Sequence, residues 1–437
     1  MYSAGTAIID CSTEFSKLDI EIFLFPALKT GFIYGDNAGG SQVAVNVADR
    51  IYEYLLNSNA QFGADYSVSA ESTRRVMEEA PDAATKLFNA HSPDEIVFGA
   101  SSTINLENLA RGLDSDIQAG DEFILTLEHE ANVGPWKRLA ARRGAVLKYW
   151  TPTPTTPNNP YSVNYKVEEL LPLITSKTRI LAFAACSNIL GTILPIKDIV
   201  YAARNTAKEK GSKKFEVSVD CVAYAPHRLI DVRDWDVDFC VFSFYKVYGP
   251  HISALYVRLS SLLGSVSAIT HHFLKVDHKS YKLQPGGPGY ELVYGTTGVL
   301  PYLLSLTPSN DLKASFNTIA AHEQKLLQPL LAFLTAPEQI ERGVRIVGEE
   351  SPGTNRVPTI SFVVVGEKAT KSSDIVKVFD KQGGIGIRFG HFYAYSLIDQ
   401  LQPKIDVDDG VVRISLVHYN TVKEVERVVE ILKKALA

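Results

Sequence analysis

The chain has 437 residues, 46% of them hydrophobic and 21% charged, and carries a formal net charge of −5 at pH 7. That length implies two or three domains with enough buried volume for an enclosed site. The slight negative charge gives no overall attraction to nucleic acid or to an anionic membrane, which leaves a small-molecule enzyme or an interaction protein. No run of about 18 apolar residues is present, and the amino terminus lacks the basic-then-apolar layout of a secretory signal, so no membrane partner and a cytoplasmic location are expected.

In chain order, strand-like runs alternate with helical patterns. "DEIVFGA" precedes a helix predicted from Ser101 to Leu113, and "DEFILTL" precedes one from Asn132 to Arg143. "AVLKYW" precedes one from Val167 to Ile174, and "TRILAFAACS" one from Ile196 to Lys210. "FEVSVDCVA" and "DFCVFSFY" follow, and a further apolar run resumes at Ile252. This βα rhythm predicts an α/β unit with a mainly parallel sheet covered on both faces. "TPTPTTPNNP" (151–160) and "QPGGPGYELVYGTTG" (284–298) read as loops of the same unit. After about Leu306 the rhythm changes. A helix from Ser315 to Leu334 leads to "GVRIVG", "VPTISFVVV", a helix from Ser373 to Gln382, "IGIRFG", "VVRISLVHYN" and a closing helix from Val422 to Leu436. These predict a smaller α+β domain, the division being 30–305 for the large domain and 1–29 with 306–437 for the small one.

Cys11, Cys186, Cys221 and Cys240 are scattered without ligand-like spacing, and three of them lie in apolar runs, so they read as small core residues. The ten histidines include no His-x-x-x-His or His-x-His pair, and no metal is expected.

In a parallel α/β sheet, ligands gather at the carboxyl ends of the strands. Ser101, Ser102 and Thr103 follow the first strand and open a helix, offering hydroxyls and free N–H groups to an anion such as phosphate. Glu128 and His129 follow the second run, Ser187 and Asn188 a later one, and Asp220 the next. Ser243, Tyr245 and Lys246 follow "FCVF". A lysine boxed in by aromatic residues between two core strands is costly unless it is paired, neutral or covalently used. A phosphate site, a flat histidine, a carboxylate and a lysine together are what pyridoxal 5'-phosphate needs.

At that point the residues become a resemblance. "SFYKVYGPHISALYVR" resembles the lysine motif of the class V aminotransferases, the cysteine desulfurase-like branch of fold-type I pyridoxal-phosphate enzymes. "IYGDNAGGSQ", "LEHEANVGPW", "SNILGTILPI", "VDCVAYAPHRLIDV", "YGTT" and "VVRISLVHYNTVKEVERVVEIL" are similar to further segments of that family, over nearly the whole chain. The resemblance implies a fold-type I architecture with a seven-stranded-type sheet and pyridoxal 5'-phosphate as cofactor. It implies that Lys246 holds the cofactor as a Schiff base, that His129 stacks on its ring, that Asp220 pairs with the ring nitrogen and that Asn188 bonds the ring hydroxyl. Ser102, Thr103 and Ser243 would hold the phosphate with Tyr245, and Thr296 matches a threonine that reaches across the interface of a homodimer with shared active sites. Arg413 matches the arginine that clamps the substrate carboxylate, with Arg388 on the neighbouring strand.

Three departures bear on the reaction. Ala223 stands where the family has a glutamine on the ring hydroxyl, leaving Asn188 alone or with Tyr224. Tyr245 replaces the histidine before the lysine. In "IRFGHFYAY", Tyr393 replaces the cysteine that group II desulfurases use to accept sulfur, and a phenol cannot replace a thiolate there. The expected function is therefore chemistry on an amino acid or an amino-acid-derived biosynthetic intermediate, through an external aldimine and a Cα carbanion, of lyase, epimerase or cyclase type. Some relatives serve fungal alkaloid pathways. The competing readings are a desulfurase or aminotransferase activity, or a non-catalytic paralogue that binds the cofactor.

Overall fold

The computed structural model describes residues 24–437. Cys11 and the first 23 residues of the expected 1–29 segment lie outside the described residues. Seven strands, Ile96–Gly99 (β1), Glu122–Thr126 (β2), Val146–Trp150 (β3), Thr178–Ala184 (β4), Glu216–Asp220 (β5), Phe239–Ser243 (β6) and Ser253–Val257 (β7), form one sheet in the order β1-β7-β6-β5-β4-β2-β3. Only β7 is antiparallel to its neighbours; every other pair is parallel.

The central strands are apolar on both faces because both are covered. In β4, Leu181 and Phe183 enter one core while Ile180 and Ala182 enter another, and β6 divides Cys240 and Phe242 from Phe239 and Val241 in the same way. One face is closed by helices Ser102–Gly112 (α2) and Gly134–Arg143 (α3), through Leu106, Leu109, Trp136 and Leu139. Helices Val45–Asn57 (α1) and Ile196–Glu209 (α4) contribute Val47, Tyr54, Ile199 and Ala203 to the opposite core. Cys186, Cys221 and Cys240 are buried and free of disulfides.

A second sheet of Val344–Val347 (β8), Thr359–Val364 (β9), Arg388–Gly390 (β10) and Val411–Ser415 (β11) is antiparallel throughout, in the order β8-β9-β11-β10. Helices Leu312–Leu334 (α5), Ser372–Gln382 (α6) and Val422–Ala435 (α7) pack on it around their own apolar core. The long α5 joins the two: Phe316 and Ile319 belong to the core of the large sheet, Leu326 to Leu334 to that of the small one. Ile33–Tyr34 pairs in parallel with Ile385–Gly386 as a separate two-stranded sheet, and Asp36 then bridges to Ser415 at the end of β11.

Several elements differ from the expectation. The stretch from Ser67 to Phe88 is helical, and α1 was not anticipated either. The glycine-rich 284–298 segment contains the helix Tyr290–Thr296, because Val293 is driven fully into the core. Tertiary burial there overrides the glycine and proline signals. The expected 167–174 helix divides into a single α-turn, Val167–Leu170, and a 3-10 turn, Leu171–Leu173. Among the described residues, no helix is long and apolar enough to cross a membrane.

Candidate active site

The carboxyl ends of β1, β2, β4, β5 and β6 surround a pocket of about 520 Å³. Lys246 stands on a single 3-10 turn, Phe244–Lys246, directly after β6. It is 5% exposed and makes no ion pair with any described residue. Burial, helped by the Arg413 charge and opposed by Asp220, brings its ammonium down to about 8. An amine so placed is neutral often enough to act as a nucleophile or a proton acceptor.

Asp220 closes β5 and accepts from the Val222 N–H at 2.8 Å. Burial pushes its carboxyl up, against the pull of that N–H and of Lys246. A buried carboxylate with so little compensation calls for a cationic partner in the pocket. His129 follows β2, and its Nδ1 accepts from the Ala131 N–H at 3.1 Å, so the ring's remaining proton is on Nε2. Burial, with Lys246 and Arg413 adding to it, lowers this imidazole to about 4. The ring is therefore neutral and flat beside the pocket.

At the other end, the Ser101 hydroxyl caps α2 by accepting from Ile104 N. Ser102 and Thr103 lie in the first turn, where N–H groups have no partner within the helix. The Ser102 and Ser243 hydroxyls are 2.7 Å apart, and each lies within hydrogen-bond distance of the buried Ser253. This triad with an open helix start is suited to a phosphate dianion. Tyr245 also lines the pocket, its ring stacked on His251 at 5.3 Å and 9°.

Asn188 lies in a turn that only glycine can complete: Gly191 has φ +67°, and a Cβ there would come within 2.2 Å of the Thr359 carbonyl oxygen. The Asn188 amide donates to the Phe392 carbonyl at 3.0 Å, while its Oδ1 is buried without a partner. Tyr224 takes no part: it is buried elsewhere and its hydroxyl donates to the Leu229 carbonyl at 3.3 Å. Ala223 does line the pocket.

Not every expected residue reaches this pocket. Thr296 is 1% exposed and its hydroxyl donates to Val293 within its own helix, so in the single chain it lies outside the pocket lining. Arg413 is bonded not to open space but to Asp36, with Nη2–Oδ1 at 2.8 Å. Arg388 is mostly exposed and only 3.5 Å from the same carboxylate. Tyr393 is 69% exposed at the rim, its ring 5.4 Å from that of His129. Phe392 and Tyr393 have φ of +48° and +62°, two left-handed residues in succession without glycine, a strained turn at the mouth of the site.

Two further residues belong to the site. Glu128 lines the pocket, accepts from the Ser187 hydroxyl at 2.8 Å and leaves Oε1 buried without a partner. Burial, opposed by Ser187, raises its carboxyl to about 7. Asp36, in "GDNAGG", was legible only as part of a motif. Its partner comes from a strand at the far end of the chain, which no local pattern reveals.

Pyridoxal 5'-phosphate fits this donor set. The cradle, the neutral imidazole, the unpaired lysine, the under-compensated Asp220 and the orphaned Asn188 oxygen each meet one part of it. Comparison with known proteins agrees. The profile of the family described as Aminotransferase class-V matches residues 33–428. An aminotransferase-like protein of Gibberella zeae, FGM3, is 42% identical over 94% of this chain and 96% of its own length. A nonribosomal peptide synthetase-like enzyme of Aspergillus fumigatus, fsqF, is 33% identical over 92% of this chain, which spans only 25% of that larger protein. Among solved structures, a cysteine desulfurase from Thermococcus onnurineus NA1 superposes with a TM-score of 0.81, at 22% identity, over 96% of this chain and 98% of the other.

Proposed function

Because the chain belongs to the class V aminotransferase family, whose members use pyridoxal phosphate, we propose that it acts at Cα of an amino acid or an amino-acid-derived biosynthetic intermediate without accepting sulfur. Its reaction is then of lyase, epimerase or cyclase type, in secondary metabolism. The likeness to a nonribosomal peptide synthetase-like enzyme supports that setting. One observation carries the reading: Lys246, Asp220 and His129 line one pocket, while the rim position that would offer a thiol holds Tyr393. The three described cysteines are all buried, and burial pushes the Cys186 and Cys221 thiols upward, away from the thiolate form.

When bound, pyridoxal phosphate supplies an aldehyde that condenses with amines and an electron-withdrawing ring that acidifies Cα–H. Ser102, Ser243 and the α2 N-terminus would hold its phosphate, Asp220 a proton on its ring nitrogen, and Asn188 its ring hydroxyl. His129 covers the pocket and excludes water from one face. Lys246, brought down to about 8, takes a proton from Cα and returns it. Arg413 binds the substrate carboxylate, and Tyr393 closes the rim. A homodimer completes the sites.

The test is to incubate holoenzyme with a panel of amino acids in deuterated water. Exchange at Cα without sulfide release from cysteine is expected. Rapid sulfide release from cysteine would overturn the reading in favour of a desulfurase, and absence of exchange with every amino acid would overturn the Cα chemistry.

A further inference from the structure

A carboxylate already sits on the arginine proposed to receive one. Asp36 Oδ1 accepts from Arg413 Nη2 at 2.8 Å, while Asp36 Oδ2 lies 3.5 Å from Arg388 Nη1. The other donors of Arg413 are enclosed. Nη1 bonds the Asn188 carbonyl at 3.3 Å, Nε is buried without a partner, and the Phe392 ring covers the guanidinium with its centroid 3.6 Å from Cζ. Arg413 is 1% exposed. Its charge, left without Asp36 and with nothing in exchange, would be a buried and uncompensated cation. An incoming carboxylate has the same charge and the same two-oxygen fork, so replacing Asp36 with it keeps the balance.

The surroundings allow the side chain to move and hold the backbone still. Asn37, next in sequence, is buried and its amide donates to the Tyr34 and Ser415 carbonyls and to Asn420 Oδ1. Ser415 N donates to the Gly35 carbonyl at 2.7 Å, and Ala38 N to the Ser415 hydroxyl at 2.9 Å. The Asp36 side chain is 25% exposed and borders a hollow of about 610 Å³ lined also by Phe32, Tyr34, Gly39, Gly40 and Arg388. The Arg388 side chain is 57% exposed and holds Asp36 only at 3.5 Å, so most of its donors are uncommitted to a described carboxylate.

We infer that Asp36 is an exchangeable placeholder on Arg413: it neutralises the buried guanidinium while the site is empty and turns onto Arg388 when a substrate carboxylate arrives. Asp36 is thus a positioning residue that sets the threshold for carboxylate binding. The inference rests on Arg413 being the carboxylate site.

Propionate, a carboxylate without an amine, probes the exchange directly when titrated calorimetrically into holoenzyme. Asp36→Asn should bind it about tenfold more tightly than the unsubstituted enzyme, since a charged competitor has been removed. Asp36→Ser should shift affinity in the same direction, and serves if the asparagine variant folds poorly. Arg388→Ala should weaken propionate several-fold in the presence of Asp36 and have little effect in the Asp36→Asn background, a coupling that a purely structural role would not produce. Unchanged or weaker binding in both Asp36 variants would overturn the inference and make Asp36 a fixed orienter of Arg413. Arg413→Lys separates the two claims: if it leaves propionate binding intact, the role of Arg413 itself fails.

Discussion

The Lys246 ammonium is set by a conflict between neighbours: burial and Arg413 disfavour its charge, Asp220 favours it, and the balance lies at about 8. The neutral amine is the nucleophile, so capture of pyridoxal phosphate by the apoenzyme should quicken roughly tenfold per pH unit up to about 8 and level off above it. Stopped-flow absorbance across that range checks this, and a flat profile between about pH 6 and 9 would contradict the depressed lysine. Asp220 stands at the opposite end of the same argument. Its carboxyl is raised by burial against the Val222 N–H and the Lys246 charge, and a protonated ring nitrogen would add a cationic partner, so Asp220→Asn, which keeps the volume and loses the charge, should cut turnover by about 10²-fold or more while the protein stays folded. Turnover within a few-fold of the unsubstituted enzyme would remove the role.

The start of α2, the end of β6 and the start of β7 make one cradle through the contact of Ser102, Ser243 and Ser253, the first far from the other two in sequence. Replacing Ser102 or Ser243 with alanine should weaken cofactor affinity by about tenfold each, measured by equilibrium dialysis of the apoprotein. No change in either would place the phosphate elsewhere. At this scale the sequence was informative where the elements are regular. The βα rhythm marks the strands, and the polar residues after β1, β2, β4, β5 and β6 mark the pocket wall, because a core would not choose Asp220 or Lys246. It was silent where an element depends on distant contact. Helix Tyr290–Thr296 forms within a glycine-rich segment because Val293 finds a core to enter, and the Asp36–Arg413 pair joins residues 377 positions apart. Tyr224 differs, because its contact is local: its hydroxyl turns to the Leu229 carbonyl five residues on, away from the pocket.

Across the whole molecule, the larger sheet carries the cofactor pocket and the smaller one supplies Arg388 and Arg413 from neighbouring strands in register. Arg413 lies near enough to Lys246 for its charge to depress the ammonium, so under the proposed reading a substrate carboxylate held by Arg413 would place Cα toward Lys246. On the outside of α1, Tyr52, Leu55 and Leu56 are exposed by 68%, 46% and 63% and share one helical face. An uncovered apolar face of this kind agrees with the proposed homodimer. Sedimentation should show a dimer, and Leu56→Glu should shift it toward monomer; an active monomer at assay concentration would contradict the shared site. The family and the sheet were readable because motifs spread over nearly the whole chain, whereas the choice of reaction turns on which side chains face the substrate, which local sequence does not encode. The most direct measurement is borohydride reduction of the holoenzyme followed by peptide mass mapping. One phosphopyridoxyl group per chain is expected, on Lys246, and none in Lys246→Ala; label on a different lysine, or an unlabelled Lys246 in active enzyme, would contradict Lys246 as the Schiff-base residue.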